Sequence, residues 1–373
     1  MREILPDLAR WQAEGRRCAL ARVVEVVGSA PRGPGAAMAV AAGGEVAGSL
    51  AGGCVEPAVV AAAEAVLSGG GPRIWSFGCT GEDPFATGLT CGGTLVVLVE
   101  PLEEPGWPAA VAKALTARLE AGEEVVLATV LEGPSAVRTG STAVLAGGAL
   151  VAGSLGDPAL LALAQGWTPA GNQAAVLRTA LAGGPGAAGA SVFLQAFARA
   201  PRMVICGAVD FSAALAKVAK ILGYRGTVCD PRPAFATARR FPEADEVVVD
   251  QPARHLGALA VPLSPLDAVC VLTHDEKFDV PALQAALGSQ AGYVGAMGSR
   301  RTTAARQEAL ARAGVDPGAL VRVMAPIGLD IGARTPEETA VAICAEIVAR
   351  RAGRGGSLSL REGTGPLHGP AVR

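Results

Sequence analysis

Met203-Val204-Ile205-Cys206-Gly207-Ala208-Val209-Asp210 is the stretch on which the reading of the fold turns. Four apolar residues in a row suit a strand buried on both faces, and the Gly207 turn then leads into Phe211 to Leu222, an amphipathic helix stopped by Gly223. Gly226 to Cys229 supplies a second strand that ends at Asp230. Val247 to Val249, Ala268 to Thr273 and Gly292 to Ala296 are further short apolar runs between helical stretches. Strands alternating with helices predict a Rossmann-like, doubly wound parallel sheet over residues 199–350. Residues 351–373 lose all periodicity and read as a flexible tail.

Ligands of open α/β sheets bind beyond the carboxyl ends of the strands, so the loops there carry the chemistry. Gly207 lets backbone amides approach a phosphate at a helix N-terminus, and Asp230 stands where an acid takes ribose hydroxyls. Only the first glycine of GxGxxG is present, because Val209 and Ser212 replace the others and Asp210 adds a negative charge. A nucleotide site and a Rossmann sheet without a bound dinucleotide both fit this turn. His274, after Ala268 to Thr273, reads as a general base or, preferably, as a hydrogen-bonded structural histidine. Gly298, Ser299, Arg300 and Arg301 read as a phosphate clamp in preference to a solvated helix start. Asp330 lies in the loop before the last helix, where Thr335-Pro336-Glu337-Glu338 makes an N-cap.

The N-terminal half has a different grammar. Residues 1–20 read as an opening helix and Ala21 to Val27 as a strand. Gly28 to Gly35, which contains Arg32, is loop, and a hairpin closes around Gly43-Gly44. Gly48-Ser49-Leu50-Ala51-Gly52-Gly53-Cys54-Val55-Glu56-Pro57 then opens a helix over 57–67. Shifted by 105 residues, Gly35, Gly43, Val46, Ala47, Gly48, Ser49 and Leu50 meet Gly140, Gly148, Val151, Ala152, Gly153, Ser154 and Leu155. Residues 1–198 are therefore expected to be a mixed α/β domain with a degenerate internal repeat, 21–67 and 125–177, the copies sharing a mixed sheet. Gly183 to Gly189 reads as a solvent loop.

The second copy lacks Gly-Gly-Cys-x-Glu, so the hairpin does not need Cys54 or Glu56. Cys54 and Cys91 are both flanked by glycines. Thiolates so placed suit a soft metal or sulfur transfer, and Cys54 is the candidate metal contact; two buried structural thiols beside tight turns are the alternative.

Composition bounds the partners. The 373 residues suffice for two or three domains, and a formal charge of −2 gives no electrostatic reason to bind nucleic acid or an anionic membrane. With 50% apolar and 18% charged residues the chain is globular. Gly and Pro supply about a fifth of it without a triplet period, which excludes collagen. The long uncharged stretches are broken by Gly, Ser and Pro, against membrane insertion, and Met1 to Asp7 has no signal-peptide h-region. The eight Cys show no CxxC pair and read mainly as reduced cytosolic thiols.

Taken together these motifs resemble the XdhC/CoxI family, the maturation factors of xanthine dehydrogenase and related molybdenum hydroxylases. The matching pieces are GSAPRGPGAAMAV, GSLAGGCVE, TGLTCGGTLVVLVEP, GYRGTVCDPRPAFATARRFPEAD, VLTHDEKFDVPAL, YVGAMGSRRT and APIGLDIGARTPEETA, all within residues 28–345. The resemblance implies a cytoplasmic carrier, often a homodimer, that transiently binds molybdenum cofactor, supports its sulfuration and delivers it to an apo-hydroxylase. A cysteine desulfurase or sulfurtransferase is the implied second partner. The family's motifs fall on Arg32, Cys54 and Cys91, and on Asp230, His274, Gly298, Arg300 and Asp330; with Gly52, Gly53, Glu56, Gly207 and Ser299 beside them these are the expected cofactor-binding positions, with no catalytic residue. The irregular Gly207 turn departs from the family pattern and bears on NAD(P) more than on the pterin. An NAD(P)-binding oxidoreductase and a cofactor-free docking scaffold remain the other readings.

Overall fold

Alternate residues of a strand face opposite sides, and over residues 18–24 of the strand Cys18–Val27 both sets are apolar apart from Arg22, so this part is buried on both faces, while Glu25 and Val27 at its end are exposed. The computed structural model, which describes residues 1–78, 93–103, 107–135, 137–169, 171–181 and 189–353, places it at the centre of a sheet. The chain divides into one unit of residues 1–199 and a second that starts at Ala200.

The first unit runs through α1 (Leu5–Ala13), β1 (Cys18–Val27), β2 (Ala37–Ala41), β3 (Val46–Gly48), α2 (Glu56–Leu67), β4 (Arg73–Gly78) and β5 (Thr94–Pro101). The same order then recurs as α3 (Ala109–Glu120), β6 (Val125–Glu132), β7 (Thr142–Ala146), β8 (Ala149–Gly153), α4 (Pro158–Gln165), β9 (Ala174–Ala180) and β10 (Gly189–Phe197). The sheets repeat too, with orders β3-β2-β1-β5-β4 and β8-β7-β6-β10-β9. The copies do not share one mixed sheet. Each builds its own sheet, and every pairing is antiparallel. The reason lies in β4–β5 and β9–β10, hairpin partners that complete each sheet from within its own copy.

Each sheet packs one face on its own helix. Ala19, Ala21 and Val23 join Met38, Val40, Leu95, Val97 and the apolar side of α2, while Ala128, Val130, Val192 and Leu194 pack with Leu160 of α4. The opposite faces meet in a shared core that includes Trp11, Leu20, Val111, Leu115, Leu127 and Val144. Within unit one, Arg22 of β1 is buried, donating to Glu100 of β5 at 2.5 Å and to Thr129 of β6 at 2.7 Å. The opening helix is shorter than expected, because Gly15 at φ +70° ends it and β1 begins at Cys18.

The second unit contains β11 (Arg202–Cys206), α5 (Asp210–Ile221), β12 (Arg225–Cys229), β13 (Glu246–Val248), α6 (Pro252–Gly257) and β14 (Ala268–Val271). It continues with α7 (Glu276–Leu287), β15 (Tyr293–Ala296), α8 (Arg300–Arg312), α9 (Pro317–Leu320), β16 (Val323–Met324) and α10 (Pro336–Arg351). The strands are parallel in the order β13-β12-β11-β14-β15-β16. This is a Rossmann sheet, and its order reverses between β11 and β14, where the crevice at the strand ends opens. The sixth strand, two residues long, is too short to register as an apolar run. Among the described residues no helix is long and apolar enough to cross a membrane. Of the stretches read above as loop and tail, residues 183–188 and 354–373 lie outside the described residues, while Gly189 opens β10 and Arg351 is still part of α10.

Candidate functional site

The turn between β3 and α2 is organised by one carboxylate. Glu56 Oε1 accepts the Ser49 hydroxyl at 2.6 Å and the amides of Leu50, Ala51 and Gly52 at 3.1, 2.9 and 3.0 Å. Its Oε2 accepts the amides of Gly53 at 2.8 Å and Val55 at 3.1 Å. Converging amides make an anion nest, and here the chain's own carboxylate fills it. Burial would raise the Glu56 pKa, but the Ser49 hydroxyl and the amides outweigh it and hold the group at about 2. Gly52 and Gly53 adopt φ +84° and +121°, a conformation that favours glycine, and a Cβ on either would meet open space. The turn therefore keeps an open face beside Cys54, a half-buried thiol resting on the core of the first sheet.

Arg32 straps this turn from the preceding loop, donating to the Ser49 carbonyl at 2.7 Å and to Glu3 at 2.8 Å. Arg32, Gly52, Gly53, Cys54 and Glu56 thus form one cluster, in which Glu56 and Arg32 are already engaged by the protein. Gly93 packs against the same loop, since a Cβ there would come 2.1 Å from the Ser29 carbonyl oxygen. Cys91 lies outside the described residues. In the second copy the equivalent turn is Ser154-Leu155-Gly156-Asp157. Asp157 caps α4 by accepting the Ala159 amide at 2.7 Å. The hairpin and helix close there without nest or thiol.

In the second unit the strand ends are linked side chain to side chain. Gly207 takes φ +114°, and a Cβ on it would lie 2.7 Å from Thr273 Cγ2, so its close approach is to the end of β14. Asp230 is buried and fully engaged. Its Oδ2 accepts the Ala208 amide and Arg232 Nη2, each at 2.8 Å, and its Oδ1 accepts the Arg232 amide and Nε, each at 2.9 Å. Burial alone would raise the Asp230 pKa, yet Arg232 and the amides hold it below the ordinary carboxylate value. The acid expected to face a ribose is occupied by its own neighbour.

The Thr273 hydroxyl donates to Asp279 of α7, and Asp279 accepts Arg306 Nη2 of α8 at 2.7 Å; the same nitrogen donates to the Met297 carbonyl at 3.0 Å. Ser299 caps α8 by accepting the Thr302 amide at 3.1 Å. His274, Ser299, Arg300 and Asp330 are exposed. His274 has no hydrogen-bond partner among the described residues, which leaves the structural role preferred for it without support. Arg232, Asp279 and Arg306 escaped the sequence reading. The signal for two of them was present: Asp279 precedes Ala282, Leu283 and Ala286 at helical spacing, and Arg306 precedes Ala309 and Leu310, so each charge sits on an apolar stripe. No cluster of three or more His, Cys, Asp or Glu suited to a metal ion occurs among the described residues.

The profile of the XdhC Rossmann domain matches residues 203–347, and that of the XdhC and CoxI family matches residues 11–78. The chain belongs to the XdhC/CoxI family. Among its XdhC relatives is a Bacillus subtilis protein named as a probable xanthine dehydrogenase subunit, 32% identical over 161 residues, 43% of this chain and 46% of that one. The match thus spans about half the length of that relative. An Escherichia coli protein named "Molybdenum cofactor insertion chaperone PaoD" is 26% identical over 352 residues, 94% of this chain and 88% of that one. A Bacillus halodurans crystal structure described as a xanthine dehydrogenase shares the fold. Its TM-score is 0.68 and its identity 24%, over 95% of this chain and 97% of that one.

Proposed function

We propose that this XdhC/CoxI protein carries molybdenum cofactor and acts as a maturation chaperone for a molybdenum hydroxylase of the xanthine dehydrogenase type. The observation that carries the reading is the Glu56-organised turn bearing Gly52, Gly53 and Cys54, built into one copy of the repeat and missing from the other. A repeat that closes without the nest has no structural need for it. The near full-length similarity to a relative named as a molybdenum cofactor insertion chaperone supports the same reading.

The cargo is a pterin with a dithiolene-held molybdenum and a phosphate or nucleotide end, and the residues present suit it. Cys54 offers a soft donor to the metal, and the glycines beside it leave room for a flat ligand. Glu56 holds the turn and Arg32 straps it; both act on the cargo through Cys54. The oxo and sulfido chemistry belongs to the molybdenum centre, and the protein's part is to hold and shield it. Support of sulfuration with a cysteine desulfurase, transfer to an apo-hydroxylase, a homodimeric state and a cytoplasmic location belong to the same reading. A nicotinamide carrier is disfavoured, because both Asp230 oxygens are engaged by Arg232 and Ala208.

The test is expression of the full chain in a host that makes molybdenum cofactor, followed by molybdenum analysis and pterin fluorescence of the purified protein. Wild-type protein is expected to retain both, and Cys54→Ala to lose most of the molybdenum. Wild-type protein without pterin would overturn the proposal, and unchanged retention by Cys54→Ala would remove this thiol from it.

A further inference from the structure

We infer that the N-terminus of α8 is an anion site for the phosphate or diphosphate end of the cargo, with Arg306 as its buried cation. An α-helix leaves its first amides without intrahelical acceptors. Ser299 takes those of Thr302 and Thr303 through its hydroxyl and carbonyl, which leaves the amides of Arg300 and Arg301 for whatever lies beyond the helix end.

The independent observation is Arg306. Its residue exposure is 5%, and Nη2 serves Asp279 and the Met297 carbonyl, while Nη1 is buried with no hydrogen-bond partner among the described residues. That nitrogen lies 3.5 Å from the position a Cβ on Gly298 would occupy, directly beside the helix start. Thr303 Oγ1, on the same turn, is likewise buried without a partner among the described residues. A buried cationic N–H without an acceptor is costly, and an anion oxygen seated at the Gly298 turn offers what it lacks. Gly298, at φ +155°, keeps that place clear of side chain. Among the described residues Asp279 is the one carboxylate paired with the arginine. It fixes the guanidinium through Nη2 and leaves Nη1 toward the turn. The exposed Arg300 and Arg301 add charge at the mouth. Phosphate is the class that matches amides at a helix end combined with a fixed guanidinium.

The assignment to the cargo rests on the proposed function; the anion site itself is tested separately. Full-length protein is titrated calorimetrically with inorganic phosphate and with pyrophosphate. Wild type is compared with Arg306→Lys, which keeps a charge opposite Asp279 but gives up the second nitrogen, and with Gly298→Ala, which narrows the turn and leaves the ion pair intact. Both variants are expected to bind the anion at least tenfold more weakly. If Arg306→Lys fails to fold, Gly298→Ala carries the comparison. Pyrophosphate bound tighter than phosphate assigns a nucleotide-bearing cargo, and equal binding assigns the monophosphate. No binding by wild type, or equal binding by folded variants, overturns the site. Wild-type protein that binds pyrophosphate in this pattern yet retains no pterin keeps the site and rejects the cofactor reading.

Discussion

Glu56 accepts the backbone amide of Gly53 at 2.8 Å, and with the same oxygen that of Val55 at 3.1 Å, so one carboxylate brackets Cys54 from both sides. A glycine-rich turn whose converging amides could hold an external anion is, in the fold, a turn whose anion is already covalently attached. It thereby fixes the backbone on either side of the thiol. That distinction has measurable consequences.

Replacing Glu56 by Gln removes the charge but keeps the shape, and leaves one acceptor oxygen where the amides require two. The expected loss is about 1–2 kcal/mol, the lower part of the range for charge-assisted hydrogen bonds because the turn is solvent-exposed. The folded-state pKa is depressed to about 2 from an ordinary 4.5. The stabilisation is therefore complete above about pH 4.5 and drains away as pH falls toward 2. Thermal melts of wild type and Glu56→Gln should differ at pH 7 and converge through that window. A gap that stayed constant down to pH 2 would assign it to shape and not charge.

The buried pair Arg22–Glu100 ties the two copies of the repeat together through Thr129. Arg22→Met strands a carboxylate in the core and should cost about 3–5 kcal/mol, whereas Arg22→Met with Glu100→Leu should recover most of it. Burial already pushes the Glu100 pKa up against the pull of Arg22. Without the arginine the folded protein keeps Glu100 protonated, so the single variant should lose stability as pH rises above about 4.5. Denaturant titrations at several pH values check both points.

Much of this architecture was legible because its cause is local. Gly223 stops α5, the Gly43-Gly44 turn closes β2 on β3, and the alternation of strands and helices after Pro201 can only wind a parallel sheet. The two-sheet arrangement was not legible, because it depends on which distant strands pair, and β1 shows apolar residues on both faces whichever partner it takes. At the strand ends the difficulty was of another kind. Asp230 sits where a ribose ligand would, and nothing in its spacing says that Arg232, two residues on, will occupy it. Arg306 and Asp279 were hidden among helical residues although their stripe positions announced a buried pair.

The repeat itself can be tested at two glycines. Gly48 and Gly153 take φ +79° and +83°, and a Cβ would come within 2.5 Å of the Ala37 carbonyl oxygen and 2.0 Å of that of Thr142. These are the same contact in each copy. Gly48→Ala and Gly153→Ala should each destabilise the protein by about 1–3 kcal/mol or more, through left-handed strain and the clash. Alanine at the open Gly52 should cost only the strain. Chemical denaturation of the three variants decides whether the copies are structurally equivalent, and a neutral effect at either Gly48 or Gly153 would deny it.

The second copy also supplies a control for function. Where the first copy has Ala51-Gly52-Gly53-Cys54-Val55-Glu56 before Pro57, the second has Gly156-Asp157 before Pro158. Both sequences lead from a strand into a helix, and Asp157 caps its helix as the shorter turn requires. Replacing residues 51–56 by Gly-Asp should therefore preserve the hairpin, the helix and the shared core, while loss of the buried Ala51 and Val55 side chains lowers the melting temperature without unfolding the protein. Cofactor retention should fall to background, because nest, glycines and thiol leave together. Pterin fluorescence and melting temperature measured on one preparation separate the two effects. A grafted protein that folds and still retains pterin would place the cargo elsewhere in the chain, and one that fails to fold would return the turn to the scaffold.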